Sequence, residues 1–578
     1  MYDVKIVGGT IVDGTGAERF VGDVAIKGGV IVAVKRGPLD GEATETIDAH
    51  GRIVAPGFVD IHTHYDGQAT WDELLEPSSQ HGVTTVVTGN CGVGFAPVRP
   101  GSEDWLIRLM EGVEDIPGTA LHEGMTWGWE SFPEFLDTLD ARSWSIDVGT
   151  QVAHGAVRAY VMGDRGAKND PADTDDISEM ARLVREAIEA GALGFSTSRV
   201  LSHRAMDGEP VPGTFAAEDE LYGLGRAIVD GGGAVFELAP AGADGLDAVR
   251  GPVEVEWMRR LSIDLDVPLS FALLELRSNP DLWRELMDAS IQAVDAGARL
   301  VPQVAIRPFG MLIGFGSNHP FAKRPTFKAL AARLPLDELF AELAKPDVRA
   351  AILAEDDLPP DPSQLFDSLA TNLRHMTGML YQLGDSPDYE PTHDRTVEVL
   401  GGDDPLAYMY DVMLERGGQS FFLAPFFNYA HENHDAIREM MLHPAGVSGL
   451  SDGGAHCGMI CDASYPTYLL THWARDRKRG ERLPLEFVVK KQSYDTAQLY
   501  GLTDRGVIAE GKKADVNVID LAALRLHHPR VATDLPAGGR RLLQDASGYD
   551  ATLVNGVVTR RRGIDTGARP GRLVRGAR

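Results

Sequence analysis

Hydrophobic and polar positions alternate in short runs near both ends of the chain. The runs of this kind lie at 4–7, 10–12 and 24–26 on the N-terminal side, and at 514–520 and 551–559 on the C-terminal side. A period of two, broken by Gly-Gly, Asp-Gly and Asn-Gly turns, is typical of antiparallel strands. The two ends are therefore predicted to form one small β-sandwich domain from residues 1–54 and 500–578.

The middle of the chain changes to continuous apolar runs that alternate with amphipathic stretches, such as 84–87 and 177–190. Apolar strands alternating with helices indicate a parallel sheet that is covered on both faces. Such a sheet is either doubly wound or closed into a barrel. The candidate strands lie near 53–61, 84–88, 146–153, 193–196, 234–238, 269–274, 300–305 and 446–451. Eight strands favour an α/β fold with a (β/α)8 TIM-like barrel over 55–499, with an insertion or lid at about 307–445.

Charge balance and cysteine content restrict the partners and the compartment. The 578-residue chain has 55 basic and 85 acidic residues, a formal net charge of −30. Binding to nucleic acid needs basic patches, so we expect a small-molecule substrate and no nucleic acid, with the basic tail 560–578 as a solvated terminus. Three cysteines are too few for a disulfide framework. The absence of a signal pattern and of an apolar run of about 18 residues predicts a cytoplasmic protein without membrane contact. A homo-oligomer is left open.

Two histidines end the first predicted barrel strand. His62 and His64 stand two positions apart in the run VDIHTH, so their side chains face the same side of a strand. Two imidazoles placed together can bind one metal ion, although a chance pair would look the same.

An aspartate occupies the end of the eighth predicted strand. Asp452 follows Ser451 where barrel enzymes place their catalytic groups. A turn aspartate is the plain alternative, because Asp-Gly favours turns. Combined with the histidine pair, Asp452 is predicted to be a metal ligand and the general base that moves a proton from water to the leaving nitrogen.

Several longer motifs resemble one enzyme superfamily. The run PGFVDIHTH at 56–64 resembles the first-strand motif of the amidohydrolase superfamily. The motifs that look like its N-acyl-D-amino-acid deacylase, or D-aminoacylase, branch are TGNCG (88–92), MEGVEDIPG (110–118), HGAVR (154–158) and GALGFST (191–197). The resemblance implies a divalent metal, zinc by preference, as one or two ions, and it adds Cys91 to His62, His64 and Asp452 as ligands. A small buried thiol is the alternative for Cys91.

The fifth and sixth predicted strands depart from that branch. Its members carry histidines there that bind the catalytic zinc, whereas this chain has VFELAP at 235–240 and LSFAL at 269–273. The site is therefore expected to be reduced or rebuilt, with Glu237 as a candidate replacement ligand. Further candidates for a metal ligand or a substrate contact are His154, Arg158, His319 and His456. A solvated or structural role is the alternative for each, and Arg158 suits a structural ion pair as well as a substrate carboxylate.

Three functions are compatible with these residues. The first is a metal-dependent amidohydrolase that cleaves a C–N amide bond with metal-activated water, releasing an amine or D-amino acid from an N-acyl precursor. The second is a hydrolase of a cyclic amide, a lactone or another non-D-amino-acid substrate, because the strands that differ also line the pocket. The third is a barrel that has lost catalysis and serves in binding or assembly. The retained His62, His64 and Asp452 favour an enzyme that acts on C–N bonds other than peptide bonds.

Overall fold

The N-terminal segment forms part of a β-sheet. The computed structural model describes residues 1–359 and 372–576. The first strands are β1 (Tyr2–Ile11), β2 (Phe20–Lys27), β3 (Val30–Arg36), β4 (Ala43–Asp48) and β5 (Ile53–Pro56). Strand β1 pairs antiparallel with β2 and parallel with β4 and β5. The alternation in the sequence buries one face, and Ile6 and Ile26 lie in the core of this sheet.

The predicted strand 53–61 is in fact two strands. Strand β5 stays in the terminal sheet, whereas β6 (Phe58–Asp60) begins the barrel. Gly57 separates them, because its amide donates to the carbonyl of Asp515 and a Cβ there would lie 2.1 Å from Oγ1 of Thr84. The expectation of one continuous strand is wrong, since the chain changes sheets at a point where a side chain has no room.

Within the described residues, eight parallel strands form the central sheet. After β6 the next six are β7 (Val83–Thr88), β8 (Asp147–Ala153), β9 (Gly194–Ser198), β10 (Val235–Ala239), β11 (Leu269–Leu273) and β12 (Leu300–Val304), and the eighth follows the insertion. The helices in this part of the chain are α1 (Glu103–Glu114), α2 (Gly118–Gly124), α3 (Phe132–Asp140), α4 (His154–Met162), α5 (Asp164–Ala167), α6 (Thr174–Ala190), α7 (Glu218–Asp230), α8 (Gly251–Leu265) and α9 (Leu282–Asp295). Helices on the outside and side chains on the inside bury both faces of each strand, which explains the continuous apolar runs.

The segment that follows β12 folds around a hydrophobic core of its own. Its elements are β13 (Phe309–Ile313), α10 (Pro325–Ala331), α11 (Leu336–Leu343), α12 (Pro346–Ala354), β14 (Tyr381–Gln382), α13 (Val397–Gly401), α14 (Pro405–Gly418) and β15 (Phe422–Phe427). Phe315, Phe340 and Tyr410 lie in this second core. Helix α15 (Asp435–Leu442) packs in the barrel core instead, through Ile437. It therefore groups with the barrel although it precedes the predicted end of the insertion at 445.

The last barrel strand, β16 (Val447–Ser448), pairs with β12, and the residues after it close the barrel. The amide of Asp452 donates to the carbonyl of His62, and the amide of His64 donates to the carbonyl of Gly453. The hydroxyl of Ser451 donates to Asp60 at 2.6 Å. The predicted barrel is confirmed, and its seam lies at the residues that the sequence singled out.

The C-terminal segment returns to the terminal sheet. Its elements are α16 (Tyr465–Tyr468), α17 (Leu485–Lys490), α18 (Thr496–Leu499), β17 (Val516–Ile519), β18 (Arg525–Leu526), β19 (Arg530–Leu535), β20 (Gly539–Leu543), β21 (Ala546–Ser547), β22 (Tyr549–Val554), β23 (Val557–Arg561) and β24 (Ile564–Asp565). Strand β17 pairs with β5 and β22, so both chain ends share one sheet of nine described strands. The domain limits drawn from the sequence stay predictions.

The basic tail contacts the barrel instead of being solvated. The amide of Gly571 donates to the carbonyl of Trp144, and the amide of Val574 donates to that of Val148. The expectation of a free tail is wrong, because its backbone pairs beside the start of β8. None of the helices in the described part of the chain has both the length and the apolar character that crossing a membrane needs.

Candidate metal centre

His62 and His64 lie side by side just beyond β6. The buried side chain of Thr63, between them, faces β7, where its hydroxyl donates to the carbonyl of Val87 at 2.8 Å. Both imidazoles are buried, and their centroids are 5.5 Å apart. Burial lowers the pKa of His62 to about 4 and that of His64 to about 3. Both rings are therefore neutral near pH 7, which metal binding requires.

Cys91 follows β7 and brings its sulfur to the same place. Sγ of Cys91 lies 3.3 Å from Nε2 of His62. Asn90 holds the turn by donating to the carbonyl of Thr63 at 3.0 Å, and Cys91 adopts a left-handed backbone with a φ of 55°. Strain of this kind concentrates at functional sites. One donor atom each from His62, His64 and Cys91 lies within 4.8 Å of the others.

Asp452 stands between the histidines. Its Oδ1 is 3.4 Å from Nε2 of His62 and 3.8 Å from Nε2 of His64, and its Oδ2 is 3.7 Å from Nε2 of His456. Asp452 and His456 have left-handed backbones, with φ values of 49° and 50°. This sharply turned loop aims both side chains at the end of the barrel. The structure thus brings together His62, His64, Cys91, Asp452 and His456.

Glu114 belongs to the same cluster, and sequence reasoning missed it. Its Oε1 is 3.4 Å from Nδ1 of His64, and its Oε2 is 3.7 Å from Nε2 of His456. Glu114 is the last residue of α1, where the helix dipole disfavours an acid. Burial raises the pKa of Glu114 as well. The sequence feature that could have identified Glu114 as a site residue is an acid at the end of a helix, inside the MEGVEDIPG motif.

Glu237 and Gln303 lie behind His62. Nδ1 of His62 is 2.8 Å from Oε1 of Gln303 and 3.8 Å from Oε1 of Glu237, and Oε2 of Glu237 accepts the amide of Cys91. A hydrogen bond at Nδ1 leaves the lone pair of Nε2 facing Cys91 and Asp452. Glu237, the expected replacement ligand, is therefore at the site but on the far side of the ring. Sequence reasoning also missed Gln303. A polar side chain within the otherwise apolar strand LVPQV is the feature that could have identified it.

The cluster has donor atoms without partners. Both ring nitrogens of His64, Oε1 of Glu114 and Oε1 of Glu237 are buried and form no hydrogen bond. Burial raises the pKa of Glu237 to about 8, and burial together with the neighbouring carboxylates raises that of Cys91. Each unsatisfied buried group costs about 1–3 kcal/mol. Nitrogen, sulfur and oxygen donors around uncompensated acids fit a divalent ion, and this mixture suits zinc.

His154, Arg158 and His319 lie elsewhere. His154 is 2.9 Å from Glu220, and Arg158 donates to both oxygens of the same carboxylate at 2.5 and 2.6 Å. The ring of His319 packs in the insertion core, with its centroid 4.4 Å from that of Phe327. The structure corrects the expectation that these three contact the ion or the substrate, because each is engaged in a structural contact away from the centre.

A cavity of about 400 Å³ opens over the centre. His62, His64, Cys91 and Asp452 form its floor, and its walls are mainly apolar side chains. Some come from β13 and β15, so the insertion covers the end of the barrel where the donors meet. The arrangement places a buried set of metal donors beside a space large enough for a small molecule.

Comparison with known proteins agrees with this geometry. Residues 45–560 match the model of the amidohydrolase family. The chain belongs to the amidohydrolase family. It is therefore a hydrolase that acts on carbon–nitrogen bonds other than peptide bonds.

Relatives of this amidohydrolase extend over nearly the whole chain. The D-aminoacylase of Alcaligenes xylosoxydans xylosoxydans is 25% identical over 589 residues, which cover 99% of this chain and 97% of that protein. A structure of D-aminoacylase solved to study its binuclear metal centre has a TM-score of 0.64 and 24% identity. The N-acyl-D-glutamate deacylase of Bordetella bronchiseptica, solved with zinc and a phosphonate inhibitor, has a TM-score of 0.63 and 22% identity. Both structural matches cover 100% of each chain, and they show that the fold is shared.

Proposed function

We propose that this amidohydrolase is a metal-dependent deacylase, which hydrolyses the amide bond of an N-acyl compound. The observation that carries the proposal is the buried cluster of nitrogen, sulfur and oxygen donors at the barrel seam. The relatives add support, because those compared above are named as a D-aminoacylase and an N-acyl-D-glutamate deacylase, and the latter was solved with zinc.

The donors fall into two groups around a shared carboxylate. In chain order they are His62, His64, Cys91, Glu114, Asp452 and His456. Asp452 separates a group that contains Cys91 from a group that contains Glu114. Such a set suits one or two ions, with zinc as the first choice. Glu237 is assigned a positioning role, because it holds the amide of Cys91 and lies beside Nδ1 of His62.

The chain's own residues supply the proton transfers. A bound divalent ion contributes Lewis acidity, which polarises an amide carbonyl and acidifies water. The carboxylate of Asp452 accepts a proton from the attacking water and delivers it to the leaving nitrogen. The oxygen of the water joins the acyl carbon, the C–N bond breaks, and the amine leaves with that proton.

A second candidate is hydrolysis of a cyclic amide or a lactone. Ala239 at the end of β10 and Ala272 on β11 line the cavity, so the two strands that lack the branch's histidines also shape the pocket. This favours a substrate different from that of the relatives. A barrel without catalysis is disfavoured, because the chain belongs to the amidohydrolase family and donor atoms of His62, His64 and Cys91 lie together.

Metal analysis and turnover together test the proposal. We expect the zinc-loaded protein to hold at least one ion per chain and to hydrolyse members of a panel of N-acyl-D-amino acids, N-acyl amines, cyclic amides and lactones. The double variant His62→Ala/His64→Ala should lose the ion and at least about 1000-fold in kcat/KM. His50→Ala, a change at an exposed histidine, serves as the control and should retain both. Full turnover by the double variant would refute the proposal.

We also propose that the enzyme acts in the cytoplasm on a small molecule. Cys91, Cys457 and Cys461 are all free, which supports a reducing compartment. The net charge of −30 supports a small-molecule partner over nucleic acid. Cell fractionation with an antibody tests the location.

A further inference from the structure

Among the described residues, acids and histidines line the cavity over the metal centre, but no lysine or arginine does. Those acids are Glu114, Asp244 and Asp452. The carboxylate of Asp244 is held toward the loop by the amides of Ser202 and Leu246. Because Glu114 and Asp452 belong to the proposed metal donors, Asp244 is the acid of the described wall that no proposed ion balances, and it disfavours an anion there.

Three arginines lie within two positions of a residue that lines the cavity, and all three are engaged elsewhere. Arg204 donates to the carbonyl of Gly208 at 2.7 Å. Arg199 donates to Glu254 at 2.9 Å and to the carbonyl of Ala216 at 2.9 Å. Arg307 donates to Asp462 at 3.1 Å. The guanidinium groups of Arg199 and Arg307 are buried with these partners, and turning either toward the cavity would leave a buried carboxylate unpaired.

His203 does not replace the missing cation. Its Nδ1 is 2.9 Å from the hydroxyl of Ser198, and Asp244 is the charged group that acts on it most strongly. If His203 gains a proton, Asp244 balances its charge within the same wall.

The remaining wall is apolar. Val200, Leu274, Phe309, Met311, Phe427 and Ile460 line it. These side chains come from loops after the barrel strands and from the insertion. They can bind the aliphatic or aromatic part of a substrate, but they offer nothing to an ionised group.

We propose that the substrate of this site is an uncharged, apolar N-acyl amine, with no carboxylate on the carbon that bears the scissile nitrogen. The inference rests on the proposed deacylation. In an N-acyl amino acid the carboxylate is one carbon from the scissile nitrogen. It must therefore enter the cavity whenever the acyl carbonyl reaches the donors of the floor. There it would lose water beside Asp244 without gaining a lysine or arginine partner among the described residues of the wall.

A matched pair of substrates tests the inference on the unaltered, zinc-loaded enzyme. N-acetyl-phenethylamine and N-acetyl-D-phenylalanine differ only in the carboxylate, and the pair is extended with longer acyl chains. We expect kcat/KM to be at least about 100-fold higher for the neutral member, because burying an unpaired carboxylate is strongly unfavourable. Equal or preferred hydrolysis of the acids overturns the inference and leaves deacylation standing. Failure to hydrolyse any pair overturns the proposed deacylation, and the inference with it.

A positive charge introduced into the cavity wall tests the inference independently. Leu274→Arg, just after β11, introduces a cation into the cavity, and Val253→Arg introduces the same charge at an exposed position on α8. We expect Leu274→Arg to raise the ratio of kcat/KM for acid over amine at least about tenfold, whereas Val253→Arg leaves it unchanged. Zinc content and the thermal midpoint show whether each variant is folded. An unchanged ratio in folded, zinc-loaded Leu274→Arg counts against the inference.

Discussion

Gln303 offers the sharpest test of how the metal centre is held together. Its Oε1 accepts from Nδ1 of His62 at 2.8 Å, and its Nε2 donates to the hydroxyl of Ser270 at 3.0 Å. This pairing keeps the proton of His62 on Nδ1 and the lone pair of Nε2 toward the donor cluster. The change Gln303→Leu nearly preserves the volume of the side chain and removes the acceptor.

The expected loss follows from that one hydrogen bond. Without the acceptor, a buried N–H of His62 is left unpaired, which costs about 1–3 kcal/mol. Removing the partner that orients a ligating histidine lowers metal affinity by about 10–100-fold. A change of that size equals about 1.4–2.7 kcal/mol, so the two arguments agree.

The assay is competition for zinc against a chelating dye, with thermal unfolding measured with and without zinc. We expect Gln303→Leu to bind zinc about 10–100-fold more weakly than the unaltered enzyme. The control is Gln544→Leu, because Gln544 is also buried but bonds Ser464 and the carbonyl of His527. It should lower the thermal midpoint and leave zinc affinity intact. An unaltered zinc affinity in folded Gln303→Leu would refute the positioning role of Gln303.

Two further changes test the packing around the site. Glu220→Gln leaves Arg158 buried without its carboxylate, and we expect a loss of about 3–5 kcal/mol in the free energy of unfolding at pH 7, measured in urea. Burial opposes ionisation of Glu220, but the hydrogen bond from His154 and the charge of Arg158 outweigh it and lower its pKa. The stabilisation is thus present above the ordinary pKa of 4.5 and is lost as the pH falls through the lower folded pKa. The difference in unfolding free energy between enzyme and variant should therefore narrow as the pH falls below 4.5, and a constant difference would contradict this. Phe315→Ala opens a cavity in the insertion core and should lower the free energy of unfolding by about 3–5 kcal/mol. The same change at the exposed Phe215 should alter it by no more than about 0.5 kcal/mol in the same assay. Equal effects of the two changes would argue against a separate core.

The barrel could be predicted from the sequence because its strands are buried on both faces. Short runs of valine and threonine such as Val83–Thr88, without charged residues, indicate covered parallel strands when they alternate with amphipathic helices. The break at Gly57 had a local signal, because Pro56-Gly57 is a pair that marks turns, but the sequence does not show that the chain changes sheets there. The need for it arises from Thr84, which fills the space that a side chain would take.

Prediction of the site depended on how local each signal is. His62, His64 and Asp452 could be predicted from the sequence because they lie in short motifs at strand ends. Glu114 had only the weak local signal of an acid at the end of a helix, and it joins them through the packing of α1 against the loop after β16. The same limit applies to His154, because its partner Glu220 lies on another helix, and only the fold shows that it is engaged there.

The structure also explains how the centre can do without histidines on β10 and β11. The donors in front of His64 are Glu114, at the end of α1, and His456, in the loop after β16, and hydrogen bonds join their backbones. The amide of His456 donates to the carbonyl of Glu114 at 2.5 Å, and that of Cys457 to the carbonyl of Asp115 at 3.2 Å. Because Glu114 and His456 are tied to each other by this pairing, a shift of the loop would withdraw both donors at once. Donors on strands are fixed by the barrel, whereas these are fixed by a contact between a helix end and a loop. The proposed metal site is therefore more dependent on loop packing than a site built on the strands alone, and its second group of donors should be gained or lost as a unit.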